Sequence, residues 1–325
     1  IIDEVSMVRA DLLDSINIAL KKNRGNKLPF GGLQIIMVGD IFQLPPIVKN
    51  NEKEFIDTKY PDGAWFFNSS AYKLNNINTI EFKKVYRQKD EYFISNLQHV
   101  RENKVTPEVL EYFNKRVINN NQLISEKFIL LAPKNDIVND YNYHKLQNLD
   151  SQEYTYKGEI KGSFYESDMS TENYLKLKVG AQIMMVKNHA DKAWINGSIG
   201  TVVELGQEKI SVKINNRKFN VEKEKWEKYE YRRRTNGKFY PLEVGSFRQF
   251  PIKLAWAATI HKSQGLTFDN IFLDLDDGAF SHGMTYVALS RVKTYEGLHL
   301  KRPIKESDII FDKSVYKLYS SLRLF

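Results

Sequence analysis

The 325 residues contain no cysteine. That absence excludes disulfides, thiolate metal sites and cysteine nucleophiles together, and it is compatible with a reducing compartment, so a cytoplasmic location is expected. No apolar run approaches the roughly 18 residues that suggest a membrane span, so no membrane partner is expected. No signal-peptide pattern opens the chain, and it begins with Ile1 rather than Met, as a processed or partial sequence would. Internal repeats and low-complexity tracts are also missing.

What is present fits a globular protein. The apolar fraction of 42% is ample for real cores and 27% of residues are charged. A chain of 325 residues predicts two or three domains. The formal net charge of +8 suits a polyanionic partner. A merely basic surface would give the same number.

The opening Ile1-Ile2-Asp3-Glu4-Val5-Ser6-Met7 feeds two β-branched residues into adjacent carboxylates, the pattern of a buried parallel strand ending at a nucleotide site. Taken alone, it is also a common solvated strand end. Val8, Leu12, Leu13, Ile16 and Leu20 recur at helical spacing, and the polar stretch Asn23-Arg24-Gly25-Asn26 ends the helix. Leu33 to Val38 reads as a second buried strand, completing a βαβ unit with chemistry at both strand ends. It runs into Gly39-Asp40-Ile41-Phe42-Gln43-Leu44-Pro45-Pro46, where Gly39 permits a tight turn and the proline pair stiffens the exit.

"IIDEVSM" followed by "VGDIFQLPPI" resembles motifs II and III of superfamily 1 helicases, in the branch of PIF-one-type and RecD-like DNA helicases. The resemblance implies Mg²⁺ held by Asp3, an attacking water oriented or deprotonated by Glu4, and a γ-phosphate sensor at Gln43. Val85-Tyr86-Arg87-Gln88 resembles motif IV, whose arginine faces the γ-phosphate. A guanidinium suits that place because it is always charged and its fork matches phosphate oxygens. Between these motifs, Asn50 to Asn78 reads as irregular, with Trp65, Phe66, Phe67 and Tyr72 expected to pack under a loop rather than stack on bases.

From Asp90 to Leu149 the pattern is α/β. Phe93, Ile94, Leu97 and Val100 suit a helix, Thr106 and Pro107 a cap and first helical position, and Phe128 to Leu131 a core strand stopped at Pro133. Asn135 or Asp136 is expected to cap the next helix. Between about Tyr154 and Phe250 helical periodicity gives way to short β-rich runs: Gln182 to Lys187, Ile199 to Leu205, Ile210 to Ile214 and Phe219 to Val221. Asn215-Asn216 joins the last two as a pair that tolerates positive φ. "LKVGAQIMMVKN" and "WINGSIGTVVEL" resemble the SH3-like barrel inserted in the same helicases. Arg232-Arg233-Arg234 with neighbouring tyrosines suits a DNA backbone, and a solvated strand face equally well.

"FPIKLAWAATIHKSQGLTFDNIFLDL" resembles motif V, with Thr259, His261, Lys262, Ser263, Gln264, Gly265 and Thr267 at matching positions. The resemblance implies that Thr259, His261, Lys262, Ser263 and Gln264 meet a DNA strand and that Gly265 and Thr267 meet the nucleotide. "GMTYVALSRVKTYEGLHL" resembles motif VI, where Arg291 matches the arginine finger and Tyr286 and Ser290 its supporting positions. Ile271 to Leu273 and Leu298 to Lys301 read as strands, and Val315 to Leu322 as a terminal helix. The family's phosphate loop, Gly-x-x-x-x-Gly-Lys-Ser/Thr, is expected upstream of Asp3. The only Gly-Lys pair here, Gly237-Lys238, is followed by Phe239.

The expected fold is therefore α/β. Residues 1–75 would close a first, incomplete RecA-like lobe, and residues 76–153 and 251–325 would form a second lobe interrupted by the β-rich insertion 154–250. The expected activity is ATP-dependent, 5′-to-3′ translocation on single-stranded DNA with unwinding at duplex junctions, using ATP and Mg²⁺, by a monomer. Without a phosphate loop, these residues alone are expected not to hydrolyse ATP. The helicase part of a conjugative relaxase or of a RecD-like nuclease subunit is the alternative among enzymes. A non-catalytic single-stranded-DNA-binding remnant is the alternative of another class.

Overall fold

The computed structural model describes residues 1–75, 77–118, 128–233 and 239–322, so Arg234, Gly237 and Lys238 lie outside the described residues. The chain divides into two compact units, Ile1–Pro133 with Thr259–Phe325, and Lys134–Ala258.

In the first unit a short turn, Val5–Met7, leads into the helix Ala10–Arg24. Leu13, Ile16 and Leu20 of that helix pack on Phe30, Trp65, Phe66 and Phe67, as the spacing of its apolar residues requires. Lys21, Lys22 and Arg24 in the last turn complement the helix dipole. Asp14 points inward, where its carboxylate accepts the Tyr60 hydroxyl and the Ser70 and Ala71 N–H groups.

The two buried strands expected at the start of the chain are not formed as such. Ile2 and Met37 make a single parallel bridge, with the Ile2 N–H donating to Ile36 O and the Val38 N–H to Ile2 O. Ile35 and Met37 lie against the core, whereas Ile36 and Val38 on the other face are 49% and 41% exposed. An extended segment buries both faces only inside a sheet, and no other described strand lies beyond this pair. The stretch 50–78 is less irregular than expected. Lys53–Lys59 and Ser70–Lys73 are helical, while Trp65, Phe66 and Phe67 are buried, as their packing reading requires.

The rest of this unit is a parallel sheet flanked by helices. Ile129–Ala132 pairs with Ile271–Leu273, which pairs in turn with Leu298–Leu300. The helix Glu91–Arg101 is capped by Asp90, whose side chain accepts the Tyr92 and Phe93 N–H groups. Pro107–Asn114, Met284–Leu289 and Lys313–Ser321 are the further helices.

The second unit opens with the helix Asn135–Gln147, its N-cap at Lys134, one residue before the earlier of the two expected positions. Its Asn142 side chain exchanges hydrogen bonds with the main chain of Ala257. A five-stranded antiparallel sheet follows, in the spatial order Ile252–Leu254, Gln182–Met185, Ile199–Leu205, Lys209–Ile214 and Arg217–Glu222. Asn215 and Asn216 both take positive φ, 48° and 64°, as a tight hairpin turn of that twist requires. This strand order is open at both ends, so the pairing among the described residues does not by itself close an SH3-like barrel. A long hairpin, Glu224–Arg233 with Phe239–Gln249, pairs with Glu159–Gly162 as a separate sheet. Arg232 is exposed there and ion-paired to Glu230. Among the described residues no helix is long and apolar enough to cross a membrane.

Candidate functional site

Every candidate residue lies in the first unit. Glu4 adopts left-handed backbone, φ 48° and ψ 45°, a conformation that costs a non-glycine residue on the order of 1 kcal/mol. This kink lets the Glu4 N–H donate to the Asp3 carboxylate at 2.9 Å, leaving Asp3 exposed and Glu4 half-buried. Ser6, just after the carboxylate pair, is fully buried, and its hydroxyl has no hydrogen-bond partner among the described residues. The Asp40 turn lies directly against this segment. A Cβ on Gly39 would come within 2.9 Å of the Val5 nitrogen, so only glycine allows the approach.

Asp40 is the centre of a polar cluster. Its carboxylate accepts the Phe42 N–H at 3.1 Å and the Gln43 amide at 3.5 Å. The same group is held side-on by Arg101, at 3.1 and 3.3 Å, and by the Tyr286 hydroxyl at 3.3 Å. Burial opposes the charge on Arg101, but Asp40 outweighs it and the guanidinium pKa is raised. Tyr286 is pushed up by burial and by Asp40, so it remains a donor. The other amide atom of Gln43, Oε1, is buried without a partner among the described residues.

The segment from Gln264 to Thr267 joins the remaining candidates. The Gln264 amide donates to Glu4 at 3.3 Å. Gly265 takes positive φ, +75°. The Leu266 carbonyl accepts from Arg291 at 3.4 Å, and the Thr267 hydroxyl from Arg87 at 2.9 Å. Arg87 also donates to the Ser290 carbonyl at 3.0 Å. Burial lowers its pKa, although Tyr286 and Glu4 pull the other way.

Arg291 is only 1% exposed. Its guanidinium donates to the Val287 carbonyl at 2.8 Å and the Ser290 hydroxyl at 2.7 Å. Burial first and repulsion from Arg87 second bring its pKa down to about 10. It is still charged at neutral pH, and in this conformation its hydrogen bonds go to its own helix end and to Leu266.

Among the residues expected to face DNA, His261 is half-buried and Lys262 exposed. The His261 ring stacks near-parallel on the exposed Phe280, with centroids 6.2 Å apart. Thr259 and Ser263 are buried and already engaged: Thr259 accepts the Lys262 N–H and Ser263 donates to the Ile260 carbonyl. Gln264 lies against Glu4, next to the candidate nucleotide residues. Residues to which the sequence assigned no role also build this region. Arg101 holds Asp40, and Gln88 donates to the Ser290 and Val292 carbonyls. His282 bridges the Ile41 carbonyl and the Asp312 N–H. A helix-terminal arginine or a lone histidine carries no spacing signal that would have marked it.

Whether this region suits a nucleotide with Mg²⁺ can be judged from its donors and acceptors. Ser6, two residues after Glu4, Gln264, whose amide donates to Glu4, and Gln43, beside Asp40, each carry a buried polar atom without a partner among the described residues; such atoms normally have partners. Among the described residues no group of three or more His, Asp or Glu could hold a metal by itself. Mg²⁺ commonly takes one or two carboxylates and completes its shell with phosphate and water, and Asp3 suits that role.

Known proteins with related sequences and structures agree in type. The PIF1-like helicase family matches residues 1–110, and the 2B domain of DNA helicase Pif1 matches residues 167–205. The ATP-dependent DNA helicase Pif1 of Bdellovibrio bacteriovorus is 32% identical over 308 residues, covering 92% of this chain and 65% of the relative. The human ATP-dependent DNA helicase PIF1 is 31% identical over 337 residues, covering 99% of this chain and 49% of the relative. The chain thus spans about half to two thirds of the length of these curated relatives. The crystal structure of Bacteroides Pif1 bound to ssDNA matches with a TM-score of 0.80 at 36% identity, covering 98% of this chain and 74% of that one. Pif1 helicase from Candida albicans matches with a TM-score of 0.81 at 28% identity, covering 98% and 75% of the two chains.

Proposed function

Because the chain belongs to the PIF1-like helicase family, we propose that it forms part of an ATP-dependent DNA helicase motor that moves 5′-to-3′ on single-stranded DNA and opens duplex junctions. One observation carries this reading. The segment Gln264–Thr267 touches Glu4, Arg291 and Arg87, while His261 and Lys262, three and two residues before Gln264, keep accessible surface. Nucleotide chemistry and DNA contact thus share one short stretch of backbone.

In this reading Asp3 holds Mg²⁺, which when bound offsets charge on the phosphate oxygens. Glu4 orients the attacking water and takes its proton, and the Gln264 amide keeps the Glu4 carboxylate in place. Gln43 senses the phosphate state, its unpartnered amide oxygen placed to accept from the attacking water. Arg87 and Arg291 answer developing charge on the transferred phosphoryl group. Arg291 must first leave the Val287 and Leu266 carbonyls and the Ser290 hydroxyl that hold it, so its arrival depends on movement of its own helix end against the segment Gln264–Thr267. Thr267 and Gly265 complete the nucleotide side, and His261 and Lys262, with Thr259 and Ser263 shaping the turn beneath them, face the DNA backbone.

The division into residues 1–75, 76–153, 154–250 and 251–325 as first lobe, second lobe, SH3-like insertion and second lobe belongs to the same proposal, as do monomeric action and a cytoplasmic location. The test is DNA-stimulated ATP hydrolysis together with unwinding of a duplex bearing a 5′ single-stranded tail, using a chain that carries a phosphate-binding loop as well as these residues. Turnover that ignores DNA, or unwinding only from a 3′ tail, would overturn the reading.

A further inference from the structure

Arg101 lies outside all the motif-bearing stretches, at the last position of the helix Glu91–Arg101, yet it is half-buried at the centre of the Asp40 cluster. A basic residue at a helix end is ordinarily a solvated partner of the helix dipole. Here the guanidinium turns away from that role. Its Nε and Nη2 donate to the two oxygens of Asp40, at 3.3 and 3.1 Å, and its plane covers the Phe42 ring with 4.2 Å from Cζ to the centroid. Side-on pairing and stacking together fix both the position and the tilt of Asp40, a geometry that lysine cannot reproduce.

Asp40 passes that constraint in two directions. Toward Gln43, the Asp40 carbonyl accepts the Gln43 N–H at 3.0 Å and its carboxylate meets the Gln43 side-chain amide. The oxygen end of that amide is thereby aimed with no partner of its own. Toward Arg291, Asp40 accepts the Tyr286 hydroxyl, and Tyr286 sits on the helix Met284–Leu289, which runs directly into Ser290 and Arg291. Gly283, at the start of that helix, presses on the same turn. A Cβ there would lie 2.3 Å from the Phe42 carbonyl oxygen.

We infer that Arg101 is a positioning residue of the motor. It clamps Asp40 so that the phosphate-sensing amide of Gln43 and the helix that ends in Arg291 move as one piece. The inference rests on the function proposed above, because it assigns Gln43 and Arg291 to the nucleotide. Removing the guanidinium leaves Asp40 as a half-buried charge without its ion-pair partner. The carboxylate then turns toward water, and both Gln43 and Tyr286 lose their anchor.

The test is steady-state ATP hydrolysis with saturating single-stranded DNA, on a chain that carries a phosphate-binding loop, for Arg101→Lys, Arg101→Ala, Asp40→Asn and the double variant Arg101→Ala/Asp40→Asn. Arg101→Ala should lower kcat on the order of 10- to 100-fold, the effect expected when catalytic groups are displaced by about an ångström. KM for ATP should stay close to the parent value, since Arg101 does not touch the nucleotide. Arg101→Lys keeps the charge and most of the packing over Phe42, so it should fold and still recover only part of kcat. Asp40→Asn should match the loss in Arg101→Ala, and the double variant should lose no more than either single change, because the pair acts as a unit. Parental kcat in Arg101→Lys, or losses that multiply in the double variant, would overturn the inference and leave the proposed function standing. A parent with no DNA-stimulated turnover would instead overturn the function on which it rests.

Discussion

Replacing Asp14 with alanine removes the acceptor for three donors at once. The carboxylate takes the Tyr60 hydroxyl at 2.8 Å, the Ser70 N–H at 3.2 Å and the Ala71 N–H at 2.7 Å, and only 8% of the residue is exposed. Ser70 and Ala71 open the helix Ser70–Lys73, so two of the N–H groups that a helix start leaves unpaired lose their partner. Burial, and next the hydrogen bond to Asp14, raise the Tyr60 pKa, which keeps its hydroxyl a donor throughout the neutral range. A donor stranded out of reach of water costs about 1–3 kcal/mol. Three of them, partly relieved by local relaxation, predict a loss of about 3–5 kcal/mol, a large share of a typical domain's stability. Tyr60→Phe deletes one of the three bonds to a charged acceptor and should cost about 1.5–3 kcal/mol. Urea unfolding followed by fluorescence reads both, because Trp65 is the one tryptophan of this unit. An Asp14→Ala protein that unfolds within about 1 kcal/mol of the parent would refute the reasoning.

In a chain that also carries a phosphate-binding loop, Arg87→Ala and Arg291→Ala should each cut DNA-stimulated ATP turnover on the order of 10³-fold or more while single-stranded-DNA affinity without nucleotide changes little; near-parental turnover would remove that arginine from the site. Affinity for a fluorescent single-stranded oligonucleotide should fall with salt, with a log–log slope of roughly −0.7 per neutralised phosphate and little sequence preference. A flat salt response would sink backbone-dominated binding. Burial holds the His282 imidazole below its ordinary value of 6.5, against the opposing pull of the Ile41 carbonyl, Asp312 and Asp40. Its Nδ1 accepts the Asp312 N–H, so protonation breaks that bond, and the unfolded chain takes up the proton first. The stability that His282 contributes should be complete above the ordinary value and be lost as pH falls through the lower folded one. His282→Gln should therefore flatten part of the dependence of the urea midpoint on pH between about 7 and 5, the half-buried His261 and His299 adding further contributions. An unchanged slope would exclude His282 as a source.

Patterns written in neighbouring residues were legible in the sequence. Helical spacing located Ala10–Arg24, and Asn215-Asn216 located a hairpin turn, because only such residues accept positive φ there at little cost. Ile199–Leu205 and Ile271–Leu273 were readable as strands because β-branched and apolar runs between turn residues leave few other choices. The order of the motifs, from Asp3-Glu4 through Gln43 and Arg87 to Arg291, identified the family, since residue types and their sequence are all that such a comparison needs.

The tertiary structure decided matters that depend on what lies across the chain. Leu33 to Val38 is apolar enough for a buried strand, but burial needs neighbours on both sides and the described residues supply one. Asp14 is an internal anchor that helical spacing does not mark, because Tyr60, Ser70 and Ala71 converge on it from about fifty residues away. Arg101 and His282 carry no local signature, and Gln88 only its place beside Arg87, since each acts through groups far along the chain. Sequence by itself thus determined which chemical groups are available and in what order. Packing alone determined which of them meet, because a hydrogen bond is a matter of ångströms and carries no memory of sequence separation.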